Sequence, residues 1–316
     1  MKKIFKLLCF LLIVVIYSCD DILEEDITGD TVQIASPAEG QVVVGNTVQF
    51  LWQNLDGADN YRVQVLDQNQ TLALDSLVSQ NLLEYNLNEG SYQWRVKGEN
   101  FAYETEFTFP VNFTVEVSDD LTNQSVLLST PSDELYTNDT NITFTWNTLS
   151  SVDSYTSEVV KSNNGETTIY QEAGITTTSF NIDAALFDVD AEYIWKVKGV
   201  NTTSETTFSE RSLFIDRVAP NIPTLNTPDD NITSTTEVTF NWTNGTDTGN
   251  IQSTVTNTIE IASDINFSSL LFSDDTQNNT YQYTFSNTGV YYWRVRAYDQ
   301  AGNQSDNSIT RTLTIE

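Results

Sequence analysis

One short pattern occurs three times and limits what the chain can become. The copies are Tyr92-Gln93-Trp94-Arg95-Val96-Lys97-Gly98, Tyr193-Ile194-Trp195-Lys196-Val197-Lys198-Gly199 and Tyr291-Tyr292-Trp293-Arg294-Val295-Arg296-Ala297. Apolar and charged residues alternate in each, which is the period of a strand buried on one side only. Tyr, Trp and Val share one face of each copy, and Arg and Lys share the other. Each copy is read as the central strand of a sandwich.

Other landmarks keep step with these strands. A proline turn at Pro37, Pro131 and Pro228 precedes an alternating segment that ends in tryptophan: Val48-x-Phe50-x-Trp52, Ile142-x-Phe144-x-Trp146 and Val238-x-Phe240-x-Trp242. The proline-to-tryptophan offsets are 15, 15 and 14 residues, and successive first tryptophans lie 94 and 96 residues apart. That period is the length of one β-sandwich. All six tryptophans (Trp52, Trp94, Trp146, Trp195, Trp242 and Trp293) are used this way, two per repeat, and are assigned to the cores. Further alternating segments bring each repeat to about seven short strands. The fold class is therefore all-β, with three tandem sandwiches.

The repeats resemble fibronectin type III domains, an immunoglobulin-like sandwich without a disulfide. The resemblance rests on the early tryptophan, on the Y-x-(aromatic)-x-V-x-A strand and, in the third repeat, on Ala297-Tyr298-Asp299-Gln300-Ala301-Gly302-Asn303-Gln304-Ser305 after the linker Asp216-Arg217-Val218-Ala219-Pro220-Asn221-Ile222-Pro223. The expected modules are 31–117, 124–216 and 220–316. The polar segment Val117 to Gln124 is expected to flex. Arg217 to Pro223, with two prolines, is expected to be stiffer.

The N-terminus reads as an export signal. Met1 to Lys6 is basic, Leu7 to Ile16 is apolar and too short for a comfortable membrane span, and Ile16-Tyr17-Ser18-Cys19 closes it. This resembles the lipobox of bacterial lipoproteins. It implies a signal peptide over 1–18, acylation of Cys19 and an acidic tether over 19–30. Asp20-Asp21-Ile22-Leu23-Glu24-Glu25-Asp26 also resembles the surface-export signal of Bacteroidetes-type lipoproteins, so the expected location is the outer membrane, facing outward. With Cys9 in the leader, no disulfide can form within the mature chain.

Beyond the leader lysines, 11 basic residues face 44 acidic ones, a net charge of −33. Such a field repels nucleic acid, and the chain is expected as a monomer that does not bind it. There is no histidine, which removes the Ser-His-Asp triad and the usual zinc sites. The reading is non-catalytic and without cofactor. Weak calcium binding is the one reservation: Asp229-Asp230-Asn231, Asp247-Thr248-Gly249-Asn250 and Asp274-Asp275 offer oxygen ligands, though none has EF-hand spacing.

Two surfaces are candidates for recognition. Arg95, Lys97, Lys196, Lys198, Arg294 and Arg296 line the outer faces of the central strands, where pairing with neighbours such as Glu158 and Glu260 is expected. In the first module, the loop Glu99 to Glu104 offers Phe101 and Tyr103 as a stacking platform for a sugar ring, with Asn100 and Glu104 bonding its hydroxyls. The expected role is a surface spacer, or an adhesion or protein-binding stalk. The alternative is a glycan-binding accessory lipoprotein of a polysaccharide-uptake system, a family similar at Ile34-Ala35-Ser36-Pro37-Ala38-Glu39-Gly40.

Overall fold

The computed structural model describes residues 24–316. The leader, Cys19 and the first acidic residues lie outside them. The chain divides into two compact units at Glu116 and Val117. The first holds one sandwich and the second holds two.

In the first module the strands are β1 (Ile34–Ser36), β2 (Gln41–Val44), β3 (Thr47–Trp52), β4 (Asn60–Asp67), β5 (Leu72–Val78), β6 (Leu82–Asn86), β7 (Gly90–Glu99) and β8 (Val111–Glu116). They form a three-stranded sheet, β1-β3-β6, and a five-stranded sheet, β2-β8-β7-β4-β5. The pairings are antiparallel except β2 with β8, which is parallel. Eight strands appear where about seven were expected, because the first is split at Pro37. Proline has no N–H to give to a ladder, and there the chain crosses from one sheet to the other.

The second module repeats this plan with β9 (Leu128–Thr130), β10 (Leu135–Thr137), β11 (Thr143–Trp146), β12 (Ser154–Ser162), β13 (Glu166–Ile175), β14 (Ser179–Asn181), β15 (Ala191–Val200) and β16 (Ser209–Ile215). The third does so with β17 (Thr224–Thr227), β18 (Ile232–Ser234), β19 (Glu237–Thr243), β20 (Thr256–Ala262), β21 (Leu270–Thr276), β22 (Thr280–Thr284), β23 (Gly289–Tyr298) and β24 (Arg311–Ile315). The sheets are β9-β11-β14 with β10-β16-β15-β12-β13, and β17-β19-β22 with β18-β24-β23-β20-β21. The residues 184–190 that the second module adds carry a single 3-10 turn, Ala184–Leu186.

All six tryptophans are buried, none more than 3% exposed. In the first module Phe50 meets Trp94 edge-on at 5.0 Å, and in the third Phe240 meets Trp293 at 4.9 Å. The tyrosine that opens each central strand bends back to the turn before it. Tyr92, Tyr193 and Tyr291 donate their hydroxyls to the carbonyls of Asn88, Val189 and Asn287, four residues upstream in every case. This is the tyrosine corner of immunoglobulin-like sandwiches.

Carbonyls at the proline crossover accept from side chains, and the modules supply the donors differently. In the first, the indole N–H of Trp94 donates to Pro37 O at 2.9 Å. In the second and third, an arginine takes over. Arg211 donates to Leu128, Ser129 and Pro131, and Arg311 donates to Leu225, Asn226 and Pro228, all at 2.6–2.9 Å. The cross-strand register explains the exchange, because Trp94 faces Val111 whereas Trp195 faces Arg211 and Trp293 faces Arg311. The indole nitrogens of Trp195 and Trp293 then have no partner. Arg311→Met keeps the stem but strips three carbonyls of a charged donor. We expect it to lower stability by about 2 kcal/mol, seen as a lower urea midpoint at unchanged slope.

The segments before the first two modules are more ordered than their composition suggests. Part of the stretch read as a tether is folded: Ile27 is fully buried in the first unit. The segment Val117 to Gln124, expected to flex, instead packs onto the second module. Leu121 is fully buried, Gln124 Nε2 donates to Ser118 O and Asp120 O, and Leu121 N–H donates to Ser204 Oγ. One apolar side chain among polar neighbours is enough to dock such a short segment.

Candidate functional site

In the first module the loop after β7 is built around Asn100. Its amide NH2 donates to Glu25 O at 2.9 Å and to Gly57 O at 2.8 Å, and its Oδ1 accepts from the N–H groups of Ala102 and Tyr103. It therefore ties the incoming segment, the β3–β4 loop and its own turn together. Glu104 is held by Lys97, which also pairs with Glu99 at 3.0 Å. Asn100 is thus taken up by the fold, because a polar side chain at a tight turn is used first by nearby backbone, whereas Glu104 pairs with a lysine side chain and its own stays 64% exposed. Phe101 stands 93% exposed and Tyr103 37% exposed.

Most of the strand-face cations are likewise engaged, although Arg296 Nε is buried without a hydrogen-bond partner. Arg294 pairs with Glu260 at 2.6 Å and lies 3.9 Å over the Phe267 ring. Lys196 pairs with Glu210 rather than with Glu158, its neighbour in register, which accepts instead from Gln171. Arg95 donates to Gln64 and lies over Phe107. Lys198 pairs with Glu205 at 2.8 Å, beside a groove of about 490 Å³ lined by Thr122, Thr206, Thr207 and Phe208.

The acidic segments named in the sequence separate into two kinds, and Asp274-Asp275 lies within strand β21 rather than in a turn. Asp230 accepts from Thr312 N–H of β24, and Asp275 accepts from the Thr258 hydroxyl of the neighbouring strand β20, so both brace one part of the sandwich against another. Asp247 is different. It lies with Asp216 and Asp299 in a group that offers one carboxylate oxygen from each residue, these three within 4.8 Å of one another, and sequence reasoning missed the other two. Asp216 follows β16 of the second module, Asp247 lies in the β19–β20 loop, and Asp299 follows β23. All three belong to the second unit.

Each carboxylate is aimed by backbone. Asp216 Oδ1 accepts from Val218 N–H at 3.0 Å. Asp247 accepts from the N–H groups of Thr248 and Ser253. Asp299 Oδ1 accepts from Asn303 N–H at 2.9 Å and its Oδ2 from the Asn303 amide. Asn303 also donates to Asp216 O and accepts from Asn138, which joins the second module to the third. Asp216 is 0% exposed and its Oδ2 has no hydrogen-bond partner. Burial, followed by the fields of Asp247, Asp299 and Asp190, pushes its carboxyl up to about 6 against the bond from Val218 N–H.

A signal for this group was present in the sequence once the repeats are laid over one another. The residue after the central strand is Asn100 in the first module and Asn201 in the second. Asn201 repeats the same bridge, donating to Asp119 O and Ser151 O. In the third module Asp299 stands at that position.

No protein-family model and no curated protein matches the chain. Among solved structures it is similar to the FN1–FN3 domains of chicken CNTN1, with 12% identity over 90% of this chain and 97% of that one and a TM-score of 0.45. It is also similar to a 1.5-MDa bacterial ice-binding adhesin, with 16% identity over 87% and 95% and a TM-score of 0.33. A third likeness is to the fibronectin(III)-like modules of Clostridium thermocellum CbhA, with 14% identity over 58% and 94% and a TM-score of 0.23. No helix among the described residues is long and apolar enough to cross a membrane.

Proposed function

We propose that this chain is a non-catalytic surface lipoprotein, held at the outer membrane through an acylated Cys19. Its three sandwiches serve as a spacer, or as an adhesion or protein-binding stalk. The observation that carries the reading is where the polar chemistry goes. Lys97, Lys196, Lys198 and Arg294 are each closed by a carboxylate, and Asn100 and Asn201 are spent on bridging backbone. The chain has no histidine to serve as a general base. The anchor rests on the leader pattern ending at Cys19, and acyl chains hold a membrane at about 0.8 kcal/mol per buried CH2. The net negative charge keeps such a protein dispersed and away from nucleic acid.

A glycan-binding accessory role in polysaccharide uptake is the second reading, and the exposure of Phe101 beside Tyr103 favours it. The full chain in detergent, screened on a glycan array, decides between the two. The spacer reading expects no retained glycan. A glycan that is retained by the wild type and lost from a Phe101→Ala, Tyr103→Ala double variant transfers the assignment to the second reading. The anchor is tested separately by labelled palmitate: the wild type should take up label and enter the detergent phase, and Cys19→Ser should do neither. A labelled Cys19→Ser chain would remove the anchor.

A further inference from the structure

The second unit assembles a negative group that its own residues do not balance. Asp216, Asp247 and Asp299 converge to within 4.8 Å, and no ion pair joins any of them to a lysine or arginine among the described residues. The neighbouring cation, Arg217, is spent on Asp190 at 2.6 Å and on Phe187 O. A carboxylate oxygen that is fully buried and unpartnered, as Asp216 Oδ2 is, is costly unless a cation or a proton meets it.

The repeats show what the position does elsewhere. In the first two modules an asparagine amide supplies two donors, one to the incoming segment and one to the loop between the third and fourth strands of the module. Aspartate has nearly the same shape and none of those donors. At Asp299 the third module replaces the donors with charge, and it brings Asp216 from the incoming segment and Asp247 from the loop to the same point. The three structural parts that the amide joins are the three that here present carboxylates.

We infer that Asp216, Asp247 and Asp299 form a binding site for a hard divalent cation, calcium by preference, at the junction of the second and third modules. The donors are all oxygen and include neither nitrogen nor sulfur, which selects calcium or magnesium over softer metals. Calcium–oxygen bonds are roughly 2.3–2.6 Å long; three oxygens no more than 4.8 Å apart lie within about 2.8 Å (4.8/√3) of a common centre, so an inward shift of a few tenths of an ångström brings all three onto one ion. Asp216 closes the last strand of the second module, whereas Asp247 and Asp299 belong to the third. A bound ion therefore ties the two together where Asn138 and Asn303 already meet. This inference stands independently of the lipid anchor and of any glycan.

The test is calorimetry of the full chain in detergent, with EDTA or with about 1 mM calcium chloride, the range in which extracellular calcium modules bind. Calcium is expected to raise the melting temperature of the wild type and to give a saturable binding isotherm. Asp299→Asn installs the residue that the other two modules carry and so should fold. It is expected to melt in EDTA at or above the wild type and to lose the calcium response. Asp247→Asn should weaken calcium binding at least about tenfold. Absence of any calcium-dependent shift or isotherm in the wild type would overturn the site. So would a shift of unchanged size in both variants, which would place calcium on the acidic surface at large.

Discussion

Replacing Trp293 by alanine is expected to destabilise the third module by about 3–5 kcal/mol. The indole is 1% exposed, packs edge-on against Phe240 at 4.9 Å and belongs to the cluster with Val238, Ile259, Ile261, Leu313 and Ile315. Its N–H has no partner, so the loss is one of packing and not of a hydrogen bond. The cluster includes no residue of the first or second module, and calorimetry should therefore show the third module melting early while the first keeps its transition. Trp52→Ala should reverse that order, since Trp52 packs on Tyr61 and Trp94 in the first module. A Trp293→Ala chain with the wild-type melting profile would refute the assignment of these indoles as the cores. No disulfide can soften the effect, because the only cysteines are Cys9 and Cys19.

A single methyl group at Gly245 is the other change with a large expected effect. A Cβ there would lie 1.9 Å from Asn221 O, with Ala297 Cβ at 3.2 Å. The obstacle is backbone, which cannot swing aside as a side-chain tip can. Asn221 is held to this loop by its N–H on Thr246 O and its amide on the Thr246 hydroxyl, both at 2.9 Å. Gly245→Ala must break this docking or displace the linker, and overpacking of this kind costs about 1–3 kcal/mol or more. Thermal melting of the variant measures it, and a melting temperature equal to the wild type would show that the linker is not held as described. The prolines that suggested a stiff linker, Pro220 and Pro223, restrict its local angles only. Its position is set by this close approach.

Much of the architecture could be read before any coordinates, for a local reason. Strand alternation is a property of neighbouring residues, so Tyr92-x-Trp94-x-Val96 declares its buried face without reference to the rest of the chain. The failures are also physical. Asn100 looked available because a polar residue in a loop is normally exposed, yet two of its side chain's four hydrogen bonds reach Glu25 and Gly57, which lie 75 and 43 residues away. Leu121 looked like part of a loose polar segment until its burial on the second module was seen. Arg211 and Arg311 carried no signal by themselves, because the carbonyls they cap are about 80 residues upstream.

By itself the sequence determined the fold class, the threefold repeat and the burial of six indoles, because period-two patterning and side-chain volume act over short range. Only the tertiary structure decided which polar groups remain for binding. Asp216, Asp247 and Asp299 lie on a linker and two separate loops, and their meeting depends on how two sandwiches close around one joint. Charge interactions depend on distance in space, and that distance is set by packing rather than by position along the chain.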